Sequence, residues 1–297
     1  HTLNLSCIDI NLIKSKKFKV IIDAVNSAGS EILPQLLKEL NCDVIKINCE
    51  SSGLFKRGAE PLPENLSELS KRVILENADF GLATDPDADR LAIVDENGIP
   101  LGEEFTLAIA IDGFLQKTED LNPVVVNLST SMLSEYSCKK NNVELIRAKV
   151  GEINVVEEMK NQNSDIGGEG NGGVILKESH LGRDSVVATA LVLNQFANQD
   201  IPVSKIRLKF PEYKLIKDKI SIEKINLDSV LNEIKSKFND IEIDERDGLK
   251  LLWENKWIHI RKSNTEPIMR IYGEAESLEE ISSKINIIKN IINDCKA

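Results

Sequence analysis

Three aspartates alternate with other residues in one short run, Asp85-Pro86-Asp87-Ala88-Asp89-Arg90. In a locally extended chain, alternate side chains project to the same side, so the three carboxylates can converge on one point. Like charges held that close repel one another, and a hard divalent cation relieves the repulsion; ligands that are all oxygens suit Mg²⁺. The run therefore predicts a Mg²⁺ site, and an acidic surface turn is the alternative. An EF-hand loop is excluded because Arg90 stands where that loop needs a glycine.

A second run combines a cation, two hydroxyls and an amide: Arg261-Lys262-Ser263-Asn264-Thr265-Glu266-Pro267. A guanidinium group makes charge-assisted hydrogen bonds, and the neutral side chains add further donors, which suits the binding of a phosphate. An ordinary turn at the end of a strand, capped by Ser, Asn and Thr side chains, is an equally good interpretation of the spacing.

Two weaker patterns lie between these runs. The glycine-rich segment from Gly167 to Gly173 carries Glu169 and Asn171, polar side chains that suit the recognition of sugar hydroxyls; a mobile hairpin is the alternative. It is not a dinucleotide fingerprint, because Glu169 sits where a pyrophosphate would approach. Lys149 lies between a strand end and a helix start, where it could serve as a general acid or base or remain a solvated lysine.

The elements that must position these residues follow a regular order. Strand signals at 19–22, 43–47 and 79–84 alternate with helix signals, and the aspartate run follows the third strand, where ligands gather in α/β folds. A second α/β unit follows, and beyond a linker at 200–204 come a hairpin with its turn at Asn255-Lys256 and a helix opened by a Ser277/Glu280 capping box. The predicted fold class is α/β: two mixed or mostly parallel α/β sheet domains (1–118 and 119–202), then a smaller α+β C-terminal domain (203–297).

Composition limits the class of function. The 297 residues carry 48 acidic and 37 basic side chains, and a net charge of −11 argues against nucleic acid or an anionic membrane as a partner. No apolar stretch approaches the roughly 20 residues of a membrane helix. Five scattered cysteines without a Cys-x-x-Cys pair indicate a reducing cytoplasm. The first residue is His1, from which we expect a fragment or a processed chain.

In this order, the four segments resemble the α-D-phosphohexomutase superfamily, which includes phosphoglucomutase, phosphomannomutase and phosphoglucosamine mutase. The aspartate run resembles the family's Mg²⁺ loop Asp-x-Asp-x-Asp-Arg, and the run from Arg261 resembles its phosphate loop Arg-x-Ser-Asn-Thr-Glu-Pro. The segment from Gly168 to Gly173 resembles its sugar loop, usually Gly-Glu-x-Ser-Gly-His, and Lys149-Val150-Gly151 resembles its Lys-x-Gly turn. The resemblance extends from about residue 18 to the end.

Two departures from the family pattern bear on function. Asn171 and Gly173 replace the usual Ser and His of the sugar loop, a variant that we associate with phosphoglucosamine-mutase-like members. Family members also carry a first domain with a phosphoserine in a Thr-Ala-Ser-His-Asn-Pro type of loop, and this sequence has no such loop; Ser129 lacks that context. The chain is therefore expected to correspond to domains two to four and to be inactive alone, with the N-terminal domain of the same enzyme as its missing partner.

The resemblance implies an isomerase that moves a phosphoryl group between the 1 and 6 positions of a hexose phosphate, through a phosphoserine and a hexose 1,6-bisphosphate. It implies that Asp85, Asp87 and Asp89 hold Mg²⁺, and that Arg90 and Lys149 assist catalysis. Glu169 and Asn171 would bind the sugar, while Arg261, Ser263, Asn264 and Thr265 would anchor the phosphate that does not react. Phosphomannomutase or phosphoglucomutase specificity is an alternative to phosphoglucosamine mutase, and a non-catalytic sugar-phosphate binding module is an alternative of another class.

Overall fold

The computed structural model describes residues 1–118, 121–222, 226–263 and 266–295, and the chain divides into two compact units, His1–Pro211 and Glu212–Ala297. The helices of the first unit are α1 (Ile10–Lys16), α2 (Gly29–Glu39), α3 (Ser67–Leu75), α4 (Glu103–Leu115), α5 (Met132–Lys140), α6 (Glu152–Asn161), α7 (Ser185–Gln199) and α8 (Val203–Arg207). Its strands are β1 (Lys19–Asp23), β2 (Asp43–Ile47), β3 (Phe80–Thr84), β4 (Leu91–Asp95), β5 (Val124–Asn127), β6 (Leu145–Ala148), β7 (Ile166–Glu169), β8 (Gly173–Leu176) and β9 (His180–Arg183).

The first unit contains two sheets. One has the strand order β2-β1-β3-β4, in which the first three strands are parallel and β4 runs antiparallel to β3. The other has the order β6-β5-β7-β8-β9, in which β6, β5 and β7 are parallel and the last two strands are antiparallel. Because parallel strands end at the same edge, the carboxyl ends of β5, β6 and β7 bring Asn127, Lys149 and Glu169 to one side of their sheet.

Helices α4 and α7 connect the two sheets into one core. Helix α4 packs against β4 of the first sheet and against β7 and β8 of the second, and α7 contacts β4 and β8 as well. Every residue of α4 from Thr106 to Leu115 is buried, as expected for a helix that is apolar on nearly all sides. Apolar side chains from one face of each sheet consequently belong to one contiguous cluster, whereas the opposite faces pack into two smaller clusters.

The second unit is a smaller α+β fold. Its strands are β10 (Lys214–Ser221), β11 (Glu242–Asp244), β12 (Leu249–Trp253), β13 (Lys256–Lys262) and β14 (Ile268–Ala275), and its helices are α9 (Leu227–Lys237) and α10 (Leu278–Asp294). The strands form an antiparallel sheet of order β10-β14-β13-β12-β11. Ile281, Ile285 and Ile288 of α10 share a core with Ile258 and Ile260 of β13. The predicted fold class is therefore confirmed.

Some local predictions need correction. The hairpin between β12 and β13 turns at Glu254-Asn255, one residue earlier than predicted, since Trp253 pairs with Lys256 and Asn255 takes the left-handed conformation (φ 56°). The predicted linker at 200–204 includes the start of α8. The three-domain division stays a prediction: the first compact unit holds both sheets of the predicted α/β domains, and the second begins at Glu212. Among the described residues, none of the helices has the length and apolar character required to span a bilayer.

The Ser277 half of the predicted capping box at the start of α10 is present, because the Ser277 hydroxyl accepts a hydrogen bond from the Glu280 backbone N–H at 3.3 Å, while the Glu280 carboxylate pairs with Lys256. We expect Ser277→Ala to lower the free energy of unfolding of the second unit by about 0.5–2 kcal/mol, the usual cost of losing an N-cap. Both tryptophans of the chain, Trp253 and Trp257, lie in this unit, so tryptophan fluorescence during urea unfolding reports on it selectively.

Ser283→Ala is the matched control for this variant. Ser283 is exposed inside the same helix, where alanine has the higher helix propensity, so this change should leave stability equal or slightly raised. Equal unfolding midpoints for the Ser277→Ala variant and the wild type would contradict the capping assignment.

Candidate functional site

The three aspartates lie in the loop that joins β3 to β4. The expectation of an extended run is wrong: the segment is a compact turn, in which Ala88 adopts a left-handed backbone conformation (φ 59°). One oxygen of Asp85 accepts hydrogen bonds from the backbone N–H groups of Asp89 (3.1 Å) and Arg90 (3.0 Å), and this folds the loop back on itself. One carboxylate oxygen from each aspartate consequently lies within 4.8 Å of the others.

The electrostatics of this loop favour a cation. Burial, followed by the neighbouring carboxylate of Asp89, raises the pKa of Asp85 from 3.8 to about 7. Asp85 Oδ2 lies 3.4 Å from the Arg90 Nε, and Arg90 also pairs with Glu60 at 2.9 Å. Asp89 Oδ1 is buried, has no hydrogen-bond partner among the described residues, and lies 3.6 Å from the Arg90 Nε. Three converging carboxylate oxygens, one of them buried without a hydrogen bond, fit a hard divalent cation such as Mg²⁺.

Arg57 supports the start of the aspartate loop, although no sequence pattern marks its role. Its Nε lies 3.0 Å from the Asp23 carboxylate at the end of β1, and its Nη2 donates a hydrogen bond of 2.6 Å to the Thr84 carbonyl. The side chains of Asp23 and Arg57 are only 1% and 7% exposed. This buried ion pair therefore fixes the last residue of β3, directly before the first aspartate.

Glu169 ends β7, and both of its carboxylate oxygens already accept hydrogen bonds from protein groups. One oxygen accepts from the Asn127 side-chain amide (2.8 Å) and the Gly151 backbone N–H (3.0 Å), and the other accepts from Arg183 (2.7 Å). The side-chain oxygen of Asn171, two residues further on, accepts from the Gly173 backbone N–H at 3.2 Å. Glu169 is thus buried as the centre of a polar network, whereas Asn171 is partly exposed on the loop.

Lys149 is exposed in the turn between β6 and α6. Gly151 follows with a φ of 117°, a conformation that glycine tolerates and other residues rarely adopt. The Gly151 N–H group then points at Glu169, so the lysine turn and the sugar loop are joined by a hydrogen bond. The structure thereby brings Lys149 and Glu169, which are 20 positions apart in sequence, to the same edge of the sheet, at the ends of the two strands that flank β5.

Arg183, at the end of β9, was not singled out by its sequence, although it links three of these segments. Its guanidinium group forms ion pairs with Asp89 of the aspartate loop, with Glu169 (2.7 Å) and with Glu152 at the start of α6 (2.9 Å). Two backbone hydrogen bonds reinforce the link: Leu91 N–H to the Gly172 carbonyl (3.1 Å) and Ser185 N–H to the Ala88 carbonyl (3.0 Å). A lone arginine in a short polar strand has no periodicity that could have marked it.

The run that resembles a phosphate loop begins at the end of β13, in the second unit. Arg261 is partly buried, and its Nε is buried without a hydrogen-bond partner in the part of the chain that the structure describes. Ser263 is buried, and its N–H group donates to the Ile268 carbonyl at 2.9 Å. Asn264 and Thr265 lie outside the described residues.

Family models and known proteins match this chain along most of its length. Residues 1–98 match the family model described as phosphoglucomutase/phosphomannomutase, alpha/beta/alpha domain II, and residues 103–213 match alpha/beta/alpha domain III of the same family. A phosphoglucomutase/phosphomannomutase from Thermococcus kodakarensis is 36% identical over 276 residues, which are 92% of this chain and 60% of the relative. A "Probable phosphoglucosamine mutase" from Pyrococcus horikoshii is 35% identical over 295 residues, 96% of this chain and 64% of the relative.

Solved structures share the fold at low identity. A phosphoglucomutase/phosphomannomutase family protein from Burkholderia thailandensis matches with a TM-score of 0.82 and 20% identity, over 97% of this chain and 64% of its own. Aspergillus fumigatus N-acetylphosphoglucosamine mutase, solved with GlcNAc-6P and magnesium, matches with a TM-score of 0.67 and 16% identity, over 97% of this chain and 64% of its own.

The chain spans 60–64% of the length of these curated relatives. Two domain models of one family match most of its first 213 residues, and the relatives share about a third of their residues with it along nine tenths of its length. The chain therefore belongs to the phosphoglucomutase/phosphomannomutase family of the α-D-phosphohexomutase superfamily.

Proposed function

We propose that this chain forms the metal-, sugar- and phosphate-binding part of a phosphohexomutase, which moves a phosphoryl group between the 1 and 6 positions of a hexose phosphate. The observation that carries the proposal is the junction of three loops in the first unit, where the aspartate triad, the Lys149 turn and Glu169 are tied together by Arg183 and by backbone hydrogen bonds. Phosphoryl transfer needs positioned charges more than covalent chemistry from the protein, and this junction supplies them.

The aspartate loop is the proposed Mg²⁺ site, with Asp85, Asp87 and Asp89 as ligands. Two observations support it: the three carboxylate oxygens converge, and one oxygen of Asp89 is buried without a hydrogen-bond partner among the described residues. When bound, Mg²⁺ would neutralise negative charge on the phosphoryl group in transfer. Arg90 would add a fixed positive charge beside the same group, since its guanidinium already lies against Asp85. The magnesium recorded with the Aspergillus enzyme agrees with this assignment.

The sugar would lie beside the loop from Glu169 to Gly173. Glu169 is held rigidly, and a carboxylate has about four acceptor sites, so it can accept a hydroxyl hydrogen bond beyond the three it already receives. Asn171 is partly exposed and offers an amide donor. Lys149, which is exposed in the turn between β6 and α6, would assist proton transfer or stabilise charge at the reacting oxygen.

The phosphate that does not react would be anchored by Arg261, Ser263, Asn264 and Thr265 of the second unit. The buried Nε of Arg261 lacks a partner among the described residues, and a phosphate oxygen would satisfy it. The ligands would be a hexose phosphate and its 1,6-bisphosphate, the classes named in solved complexes of family neighbours.

We propose phosphoglucosamine-mutase-like specificity, with phosphomannomutase and phosphoglucomutase specificity as alternatives. Support comes from the Asn171 and Gly173 variant of the sugar loop and from the name of the Pyrococcus relative. The proposed partner is a serine-bearing N-terminal domain of the same enzyme, because the matched family models are domains II and III and the relatives are longer.

The proposed compartment is the cytoplasm. All five cysteines are free thiols, and burial raises the pKa of Cys7, Cys42 and Cys138 to about 12. Thiols with such high pKa values are inert structural groups and do not indicate an oxidising environment.

Replacement of Asp87 tests the metal site. Asp87 is exposed, so Asp87→Asn should leave the fold intact while removing one charged ligand, and we expect Mg²⁺ affinity to fall at least tenfold. Titration calorimetry measures the affinity, and scanning calorimetry measures the rise in melting temperature with Mg²⁺, which reports on the same equilibrium. The control is Asp240→Asn, an exposed aspartate of the second unit. Unchanged Mg²⁺ binding by the Asp87 variant would remove the assignment.

Replacement of Arg261 tests the phosphate anchor. Arg261→Ala should weaken the binding of glucosamine 6-phosphate by roughly 1.5–3 kcal/mol, the value of a hydrogen bond to a charged group, or about 10- to 150-fold in Kd. Lys237→Ala removes an exposed positive charge from the same unit and should leave the Kd unchanged. Equal affinity in the wild type and the Arg261 variant would place the phosphate elsewhere.

Turnover tests the whole proposal. With Mg²⁺ and glucose 1,6-bisphosphate present, we expect the chain alone to leave glucosamine 6-phosphate unconverted, and conversion to begin when the serine-bearing domain of an archaeal relative is added. Donor and acceptor must both be present before positioning can accelerate a transfer. Conversion by the chain alone, measured against a Ser129→Ala control, would contradict the partner assignment. Binding of the sugar phosphate without turnover in either mixture would favour a non-catalytic binding module.

A further inference from the structure

Arg183 occupies a position where three segments of the first unit meet. Its side chain is 14% exposed, and its guanidinium faces Asp89 from the aspartate loop, Glu169 from the end of β7 and Glu152 from the first turn of α6. A guanidinium group offers five N–H donors in a planar fork, so it can hold several carboxylates at fixed angles at once. Arg90 also pairs with the aspartate loop, and its carboxylate partner outside that loop is Glu60.

The stem of the same side chain fills the space above Gly173. A Cβ atom added at residue 173 would lie 2.3 Å from the Arg183 Cδ and 2.9 Å from its Cγ, distances that real side chains do not share. A side chain at position 173 would therefore require the Arg183 stem to shift. Glycine at this position lets the arginine pack directly on the sugar loop.

Arg183 touches the aspartate loop through only one of the two Asp89 oxygens. The guanidinium binds Oδ2, while Oδ1 is buried with no hydrogen-bond partner among the described residues and lies 3.6 Å from the Arg90 Nε. The hydrogen bond from Arg183 to Oδ2 therefore limits the rotation of the carboxylate and helps to set the direction in which Oδ1 points. Groups that orient metal ligands in this way typically change metal affinity 10- to 100-fold when they are removed.

We propose that Arg183 is a positioning residue that locks the aspartate loop to the sugar loop, so that the cation ligand Asp89 and the sugar ligand Glu169 are held in a fixed relation. The inference rests on the proposed function, since it takes the two loops as the cation and sugar sites. It goes further by assigning a role to a residue outside all four segments that resemble family loops, and by explaining why position 173 is glycine.

The assignment predicts that a change in the sugar loop alters cation binding through Arg183. Gly173→Ala should lower Mg²⁺ affinity about tenfold with no sugar present, because the added methyl group displaces Arg183 from Asp89. Arg183→Ala should lower Mg²⁺ affinity to a similar extent, and should also weaken the binding of glucosamine 6-phosphate because Glu169 loses a charged partner. Gly173→Ala should change Mg²⁺ affinity less than twofold in the Arg183→Ala background, where the space is vacant.

Two further variants separate this role from general destabilisation. Gly182→Ala lies on the same strand, and its Cβ would lie no closer than 3.2 Å to a neighbouring side chain, so Mg²⁺ affinity should stay at the wild-type value. Arg183→Lys keeps the positive charge but loses the planar set of guanidinium N–H donors. We expect this variant to fold and to bind Mg²⁺ nearly as weakly as Arg183→Ala. Circular dichroism and melting temperatures confirm that each variant is folded, and titration calorimetry measures the affinities.

The outcomes are distinct. Additive effects of Gly173→Ala and Arg183→Ala, or wild-type Mg²⁺ affinity in the folded Arg183→Lys and Arg183→Ala variants, would overturn the positioning role and leave the proposed function standing. A wild-type chain that binds no Mg²⁺ would overturn the metal assignment of the proposed function and this inference with it.

Discussion

Repulsion among three carboxylates at the end of β3 is the constraint on which the rest of the site depends. The loop holds one oxygen of each within 4.8 Å of the others, and burial raises the pKa of Asp85 to about 7. A loop of this kind keeps its shape only where surrounding groups hold it. The backbone N–H groups of Asp89 and Arg90 do so from within the loop, and two arginine side chains do so from its sides.

The strand ends that carry the loop are themselves held by further contacts. Arg57 binds the Thr84 carbonyl and the buried carboxylate of Asp23, so the strand end from which the aspartates emerge is itself fixed by an ion pair. Breaking a buried pair of this kind leaves an uncompensated charge and is strongly destabilising. The buried helix α4 then holds β4 against β7 and β8, which sets the distance between the two sheets. The functional side chains at the strand ends are therefore held in place, because the apolar packing between the sheets is rigid.

The sequence was most informative where chemistry is local. The alternation of strands and helices, the helix N-cap at Ser277 and the carboxylate triad each depend on residues within a few positions of one another, and the structure contains all three. The conformation of the triad was misjudged, because Asp85 caps its own loop and Ala88 takes a left-handed conformation. The hairpin turn was misplaced by one residue for a related reason, since Asn255 adopts the left-handed conformation that the turn needs.

Contacts between distant segments could not be predicted in this way. Arg57 lies 27 positions from Thr84, the last residue before the aspartate loop, and Arg183 lies 94 positions from Asp89 within it; neither arginine belongs to a periodic pattern. The glycine-rich segment shows why such contacts matter for interpretation. Its composition suggests mobility, yet Gly173 packs under the Arg183 stem, and Gly172, with a φ of 89°, accepts a hydrogen bond from Leu91 through its carbonyl.

These glycines therefore serve close approach, because a side chain at position 172 would meet the Leu91 backbone and one at position 173 would meet the Arg183 stem. Contacts with distant residues also change the interpretation of Glu169. Its type suggested a free acceptor for sugar hydroxyls, whereas the structure shows a carboxylate already held by an amide, a backbone N–H and a guanidinium. An acceptor fixed in this way loses little conformational entropy when a hydroxyl binds, which is the advantage of a site organised before its ligand arrives.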